Sequence, residues 1–397
     1  MGKQLKILLV ALENYGTPRL PQELQAAGFQ VGLACRASAF LAKTRFVDER
    51  FLLSPRNHGP ALLAVLRNVI GAWRPDWVMP MDDRAAIFLT VMCRWSKAEG
   101  QDAALAKLLT RSLGNPEALP AAADKWLAAE AAAAVGVCVP PTGPAPSAAA
   151  ILDFGAQHGF PVVLRRRFNF GGKDVHVCRD QAEVKKAFAE LKKEFSFRGK
   201  FVVWREKIRQ RQLGNRWLPV SRAVVVSKFI AGRPAMLQAC AVDGRLLGSL
   251  EAVALKTFPH AISPASVVRF IRHDGMRRTT ETLLARWRLS GLIGFDFVLD
   301  DEDCAWFVEC NPRPIPIVHL GARVGVDLCR RFRAELAGEP PSVEKIPGEE
   351  IIVAHFPKEL RRDPQSEWLQ RALHDVPTDD PELMAALLAE STPRNQG

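Results

Sequence analysis

The sequence has no uninterrupted run of about 18 apolar residues, the length that a membrane-crossing helix needs. Its alanine-rich segment 121–139 is broken by Asp124, Lys125 and Glu130, so no membrane partner is expected. It has no Cys-x-x-Cys pair either. The cysteines at 35, 93, 138, 178, 240, 304, 310 and 329 lie far apart, mostly among apolar neighbours. They read as buried free thiols rather than as a zinc site or a disulfide framework. No Gly-x-Gly-x-x-Gly follows the first apolar run, which argues against a nicotinamide or flavin cofactor, and no Gly-x-x-x-x-Gly-Lys-Ser/Thr loop occurs. A nucleotide site must therefore be built another way. The N-terminal run Ile7 to Leu12 lacks the small-residue cleavage site of a leader and reads as a first buried strand; a cytoplasmic location is the expectation.

What is present is the composition of a globular enzyme. The chain has 397 residues, 48% hydrophobic and 24% charged, enough for two or three domains. A net charge of +11 raises the question of nucleic acid, yet the basic residues are spread over the chain and no recognition motif accompanies them, so no nucleic-acid partner is expected. The densest basic stretch, Arg198 to Arg222, carries Arg205, Lys207, Arg209, Arg211 and Arg216 with Trp204 and Trp217 interleaved. Three readings stay open for it: a solvated face, a substrate or phosphate lid, or a nucleic-acid contact.

The first hundred residues alternate short apolar runs with amphipathic stretches, the pattern of an open parallel sheet. Strands are predicted at Lys6 to Ala11, Gln30 to Ala34 and Asp76 to Pro80, with a helix at Pro18 to Ala27. Ligands of such sheets collect at the carboxyl ends of strands. Glu13 to Gly16 and Met81 to Arg84 stand at two such ends, either lining a substrate crevice or serving as ordinary polar loops. A helix-rich segment runs from Asn115 to Ala134 and the proline-rich stretch Pro140 to Pro146 follows as a boundary. Beyond it, strands are predicted at Pro161 to Leu164, Asp174 to Cys178, Ala223 to Ile230 and Leu237 to Ala241, with helices at Gln181 to Lys193 and Thr279 to Leu289.

Chemistry concentrates between Gly291 and Arg313, where two apolar runs flank the acidic turn Asp300 to Asp303. A hairpin is expected. If Asp301 to Cys304 form its loop, Asp300 faces Ala305, and counting back sets Asp296 opposite Glu309. Strand alternation puts Asn311 and Arg313 on the face of Glu309. Two carboxylates paired across a hairpin repel unless something positive sits between them. Two acids and an amide suit Mg²⁺, which takes a few protein oxygens and completes its shell with water and phosphate. Arg313 supplies a donor beside the same phosphates or a developing oxyanion.

Asp296, twelve intervening residues, then Glu309-x-Asn311-x-Arg313 resembles the metal-and-phosphate signature of the ATP-grasp superfamily, in its carboxylate-amine ligase and carbamoyl-phosphate-synthase-like branch. Other segments fall in that family's order. Asp124-Lys125 is similar to its first nucleotide-contacting lysine position. Gly159 to Arg165 resembles its Gly-aromatic-Pro-Val-Val-x-Lys strand, with Arg165 in place of the phosphate-binding lysine, so a planar fork replaces a point charge. Phe168 to Lys173 looks like its glycine-rich lid, where Gly171 and Gly172 would let backbone N–H groups and Lys173 approach phosphate. Val226 to Gly232 resembles its adenine-hinge strand; Ser227 and Lys228 depart from the acidic part, leaving the backbone around Phe229 and Ile230 to meet the base. Lys256 occupies the region where the family contacts phosphate and acyl acceptor, and a surface lysine is the alternative.

The resemblance implies an α/β and α+β chain: an N-terminal open parallel-sheet domain over 1–115, an ATP-grasp lid and nucleotide-binding part over 116–235, a catalytic part with the metal-binding hairpin over 236–340, and a C-terminal extension over 341–397. Within that extension the stretch Asp375 to Pro381 reads as a plain surface loop, and the tail around it as a wrapping extension or a subunit contact. The resemblance further implies ATP with two Mg²⁺ ions, or Mn²⁺, held by Asp296, Glu309 and Asn311. It implies an acyl phosphate steadied by Arg313, small-molecule carboxylate and amine substrates, and a homodimer. The alternative is an ATP-binding regulatory or scaffold protein that keeps the fold and has lost turnover. His319 reads as structural rather than as a substrate contact.

Overall fold

The computed structural model describes residues 4–13, 17–98, 102–167, 175–192, 223–260, 262–341 and 350–389. The basic stretch Arg198 to Arg222 and the glycine-rich segment with Gly171, Gly172 and Lys173 lie outside the described residues.

The first apolar run becomes β1 (Lys6–Ala11), and with β2 (Gln30–Cys35), β3 (Glu49–Leu52) and β4 (Trp77–Pro80) it forms a parallel sheet in the order β3-β2-β1-β4. Beyond their first residues β1 and β2 are buried throughout, which is why their sequences are continuous apolar runs rather than alternating ones. The chain steps outward from β1 to β2 and β3, then returns to the other edge of β1 as β4. The strand order therefore reverses beside β1, and a crevice opens outside the carboxyl ends at that point. Glu13 and Asp82 stand there.

A second sheet, ordered β5-β8-β6-β7, is built from β5 (Thr142–Pro144), β6 (Val162–Arg166), β7 (Val175–Cys178) and β8 (Val224–Lys228), all paired antiparallel. Helices Ala148–His158 and Gln181–Lys192 pack on it through Ile151, Val184 and Leu191. The third sheet is ordered β13-β12-β9-β10-β11-β14-β15. Its strands are β9 (Arg233–Val242), β10 (Arg245–Thr257), β11 (Ala265–Ile271), β12 (Gly291–Leu299), β13 (Ala305–Asn311), β14 (Ile352–Ala354) and β15 (Leu373–His374).

Helix Asp274–Trp287 lays Met276, Leu283 and Trp287 into one core with Phe297 and Phe307 of this sheet. It starts before the predicted Thr279, because His273 caps it by accepting from the Met276 N–H at 3.1 Å. Phe332 of helix Leu328–Ala337 meets Trp77 of β4 edge-on, with ring centroids 4.9 Å apart, joining the third sheet to the first.

Two expectations fail in the outer parts. The stretch Asp375 to Pro381 is not a plain surface loop: Asp375 and Asp380 are 3% and 2% exposed. Asp375 pairs with Arg19 and accepts from His319 Nε2 at 2.8 Å, while Asp380 accepts from the Thr44 hydroxyl at 2.6 Å and the Arg45 N–H at 3.2 Å. The tail wraps back onto the segments around Arg19 and Thr44, beside the first sheet, where its buried carboxylates find partners. Nor are all the thiols buried: Cys138 is exposed and Cys304 half-exposed, with their sulfurs 3.5 Å apart.

Candidate active site

The hairpin of β12 and β13 places Asp296 opposite Glu309, as the spacing predicted, but by a different route. Leu299, not Asp300, faces Ala305, so the loop runs over 300–304; the register then shifts between Asp296 and Phe297, and that irregularity restores the pairing. Asp300 closes the turn itself, accepting from the Glu302 and Cys304 N–H groups at 3.1 and 2.8 Å and from the Trp306 indole at 2.7 Å. Asn311 Nδ2 donates to Asp296 at 3.0 Å and Arg313 donates to Asn311 Oδ1 at 3.2 Å, so all four predicted residues converge. Gly294 makes this possible: a Cβ there would stand 2.3 Å from Ile315, and only its absence lets the chain after β13 fold back over β12.

Two cations come to the hairpin from the other side. Asp124 caps helix Lys125–Ala133, accepting from the Trp126 and Leu127 N–H groups at 3.0 and 3.1 Å, and it also pairs with Arg167 just beyond β6. That anchor fixes Lys125, whose Nζ is 2.9 Å from Glu309 Oε2. Arg165, 8% exposed at the end of β6, has NH1 at 3.6 Å from the same oxygen and NH2 at 3.4 Å from the Val308 carbonyl. Burial alone would raise the Glu309 carboxyl, but Lys125 and Arg165 outweigh it and hold Glu309 well below the usual carboxylate range. Asp296 is left without such help. Burial, and then the neighbouring Glu309 charge, push it up to about 7 against the opposing pull of Arg313 and Asn311.

Arg313 is held by Asp83, just past β4 of the first sheet, at 2.9 Å. Sequence reasoning pointed to the 81–84 loop only as a candidate lining; the carboxylate that positions Arg313 had no local signal, since its partner is far along the chain. Asp82 has a different task. It is 2% exposed and accepts from the N–H groups of Leu12, Glu13 and Ala85 at 2.7, 3.0 and 2.8 Å, which ties the β1 end to the β4 end. Glu13 stands beside this knot, its carboxyl raised by burial and then by Asp82 and Asp83, against the pull of Arg84 and Arg313.

Other predicted residues are not drawn into this cluster. Lys256 is exposed near the end of β10, with no ion pair to the hairpin carboxylates. Phe229 and Ile230 are half-buried just after β8, where the Phe229 N–H donates to the Pro161 carbonyl at 3.1 Å and fixes the link to β9. His319 is buried against Asp375 rather than turned to the hairpin.

Asp296, Glu309 and Asn311 offer hard oxygens suited to a divalent cation. Among the described residues no group of three or more His, Cys, Asp or Glu side chains gathers to hold a metal ion. The set therefore fits an ion that draws its remaining oxygens from phosphate and water, and not an all-protein cage.

Residues 124–210 match the family model described as the carbamoyl-phosphate synthase L chain, ATP binding domain. Over 88% of this chain and 74% of its own, the biotin carboxylase domain of 2-oxoglutarate carboxylase from Hydrogenobacter thermophilus, solved with MgADP, ADP and bicarbonate, superposes with a TM-score of 0.61 at 16% identity. The ADP complex of N5-carboxyaminoimidazole synthetase from Staphylococcus aureus does so with a TM-score of 0.60 at 12% identity, over 88% of this chain and 82% of its own. This chain has the ATP-grasp fold. The second and third sheets, with Lys125 and Arg165 facing the hairpin between them, are the parts of this fold that build the cluster. A shorter match, 34% identical over 73 residues, joins it to pyruvate carboxylase of Bacillus subtilis; it spans 18% of this chain and 6% of that protein's length. Among the described residues no helix is long and apolar enough to cross a membrane.

Proposed function

We propose that this protein is an ATP-dependent, ADP-forming ligase that activates a small carboxylic acid as an acyl phosphate and transfers the acyl group to an amine. The observation that carries this reading is the pairing of Asp296 with Glu309, backed by Asn311 and Arg313 on one side and by Lys125 and Arg165 on the other. Simple nucleotide binding needs cations for the phosphates; it does not need a second, repelling carboxylate. Magnesium bound by Asp296, Glu309 and Asn311 would neutralise nucleotide phosphate charge. Arg165 and Lys125 orient the phosphate to be transferred, and positioning of this kind is most of what phosphoryl transfer asks of a protein. Arg313, fixed by Asp83, presents its guanidinium to the carboxylate that attacks and to the oxyanion that develops when an amine displaces phosphate.

The test is ADP release from Mg-ATP with pooled carboxylic acids and hydroxylamine as acceptor, comparing the natural chain with Glu309→Ala. Hydroxamate from the natural chain alone supports the ligase. ADP-binding without hydroxamate from any pool favours the scaffold reading, which arginine rather than lysine at 165 and the altered hinge at Ser227 and Lys228 motivate.

A further inference from the structure

A small open cleft, with enclosed room for about one water, lies outside the carboxyl ends of the first sheet, away from the hairpin carboxylates, lined by Leu12, Arg36, Ser54, Asn57, Arg84 and Phe88. Each strand contributes by its end: Leu12 follows β1, Arg36 follows β2 and Ser54 stands just past β3. Two of the lining residues are arginines, both half-buried, and neither makes an ion pair or side-chain hydrogen bond among the described residues. Two other half-buried arginines, by contrast, are paired: Arg167 with Asp124 and Arg313 with Asp83. The floor of the cavity is the start of helix Gly59–Trp73, which has no acidic residue in its first turn and no side-chain cap, so its positive end adds to the same field.

Two of the lining residues stand next in sequence to residues at the reacting end of the site. Arg84 follows Asp83, which holds Arg313, and Glu13, next to Leu12, feels the charges of Arg84 and Arg313 together. We infer that the cavity binds an anionic group of the substrate remote from the reacting carboxylate, with Arg36 and Arg84 as its ligands. The inference rests on the ligase reading for the word substrate and on the cavity alone for the binding. The substrate class is thus a dianion: a dicarboxylic acid, or a carboxylic acid that also carries a phosphate. The two share oxyanion chemistry, and paired guanidinium groups recognise both.

Succinate and inorganic phosphate serve as probes, their binding to the full chain measured by calorimetry with Mg-ADP present to fill the nucleotide site. The expected result is that one of them binds, that Arg36→Gln and Arg84→Gln each weaken it at least about tenfold, and that Arg245→Gln, a surface change in β10, does not. Succinate binding more tightly identifies a carboxylate tail, and phosphate a phosphorylated one. Both arginines are half-exposed and unpaired, so the variants keep the melting temperature of the natural chain. Binding of neither probe, or equal binding by the natural chain and both variants, overturns the inference. If binding depends on the two arginines while no acid yields hydroxamate, the ligase reading fails and the anion site stands.

Discussion

Around Asp375 the buried charges are matched, whereas around Asp296 they are not. Asp375 takes Arg19, and with that pair neutral overall His319 remains an uncharged donor, kept so by burial and by the nearby Arg19 charge. Next to it Glu359, fully buried, is held by Arg362 and the Ser366 hydroxyl. At the hairpin, by contrast, two carboxylates face each other across paired strands; one has two cations at hand and the other has an amide and a shared arginine. A network that only holds the fold balances its charges. One that binds a ligand keeps its charges unbalanced until the ligand arrives.

The strongest way to break that contrast is to substitute an aspartate from each cluster. Asp375→Ala should cost about 3–5 kcal/mol, because it strands Arg19 in a buried place without its counter-charge. Asp296→Asn should do the reverse in the absence of magnesium. The folded-state carboxyl of Asp296 is raised to about 7, so its favourable contribution is whole in acid and is lost as pH climbs through neutrality. At pH 8 the amide should therefore stabilise the metal-free chain by about 1 kcal/mol, with the gain vanishing towards pH 4, while hydroxamate formation falls at least about 100-fold. Urea titrations of both variants, read at the two pH values, check this. A loss of several kcal/mol in Asp296→Asn would make the hairpin cluster structural and undo the distinction.

The same contrast decides what could be read from sequence. The hairpin is local: an apolar run, a turn and a second run put Asp296, Glu309, Asn311 and Arg313 within reach of a count by two, and the answer survived a wrong loop length because a bulge compensated. Three of the four strands of the first sheet were legible for a similar reason, as buried runs bounded by polar ends, whereas the mostly exposed β3 was missed. The Arg19 to Asp375 pair joins opposite ends of the chain, and no spacing rule connects them. A polar, proline-bearing stretch such as Asp375 to Pro381 has the composition of a loop whether or not its carboxylates are buried. Asp83, which sets Arg313, and the sulfur contact of Cys138 with Cys304 were hidden for the same reason.

The matched cluster has its own pH signature. His355 lies 4.0 Å from Asp375, and burial followed by the Lys358 charge lowers it to about 4. A depressed histidine contributes stability that is present above its unfolded value of about 6.5 and is lost as pH falls from there towards 4. Stability should therefore drop over that window with the uptake of about one proton attributable to His355, and His355→Gln should flatten it. An unchanged slope in the variant would mean that the Asp375 carboxylate, and not burial, governs this histidine.

The smallest effect expected concerns the two thiols that neither cluster uses. Cys138, just after the Lys125 helix, and Cys304, in the hairpin loop, are the accessible members of a set whose other six are buried. The Cys304 thiol is pushed up to about 11 by burial and then by its contact with Cys138, so it should react more slowly than a free thiol at neutral pH. In the native chain a maleimide should therefore label Cys138 first and Cys304 second, with the others reacting only on unfolding, as mass spectrometry of timed samples would show. Cys138→Ser should speed the labelling of Cys304 and move stability by less than about 0.5 kcal/mol. If Cys304 instead reacts no faster without its neighbour, burial alone sets its reactivity, and the hairpin loop is packed more tightly against the rest of the third sheet than its exposure implies.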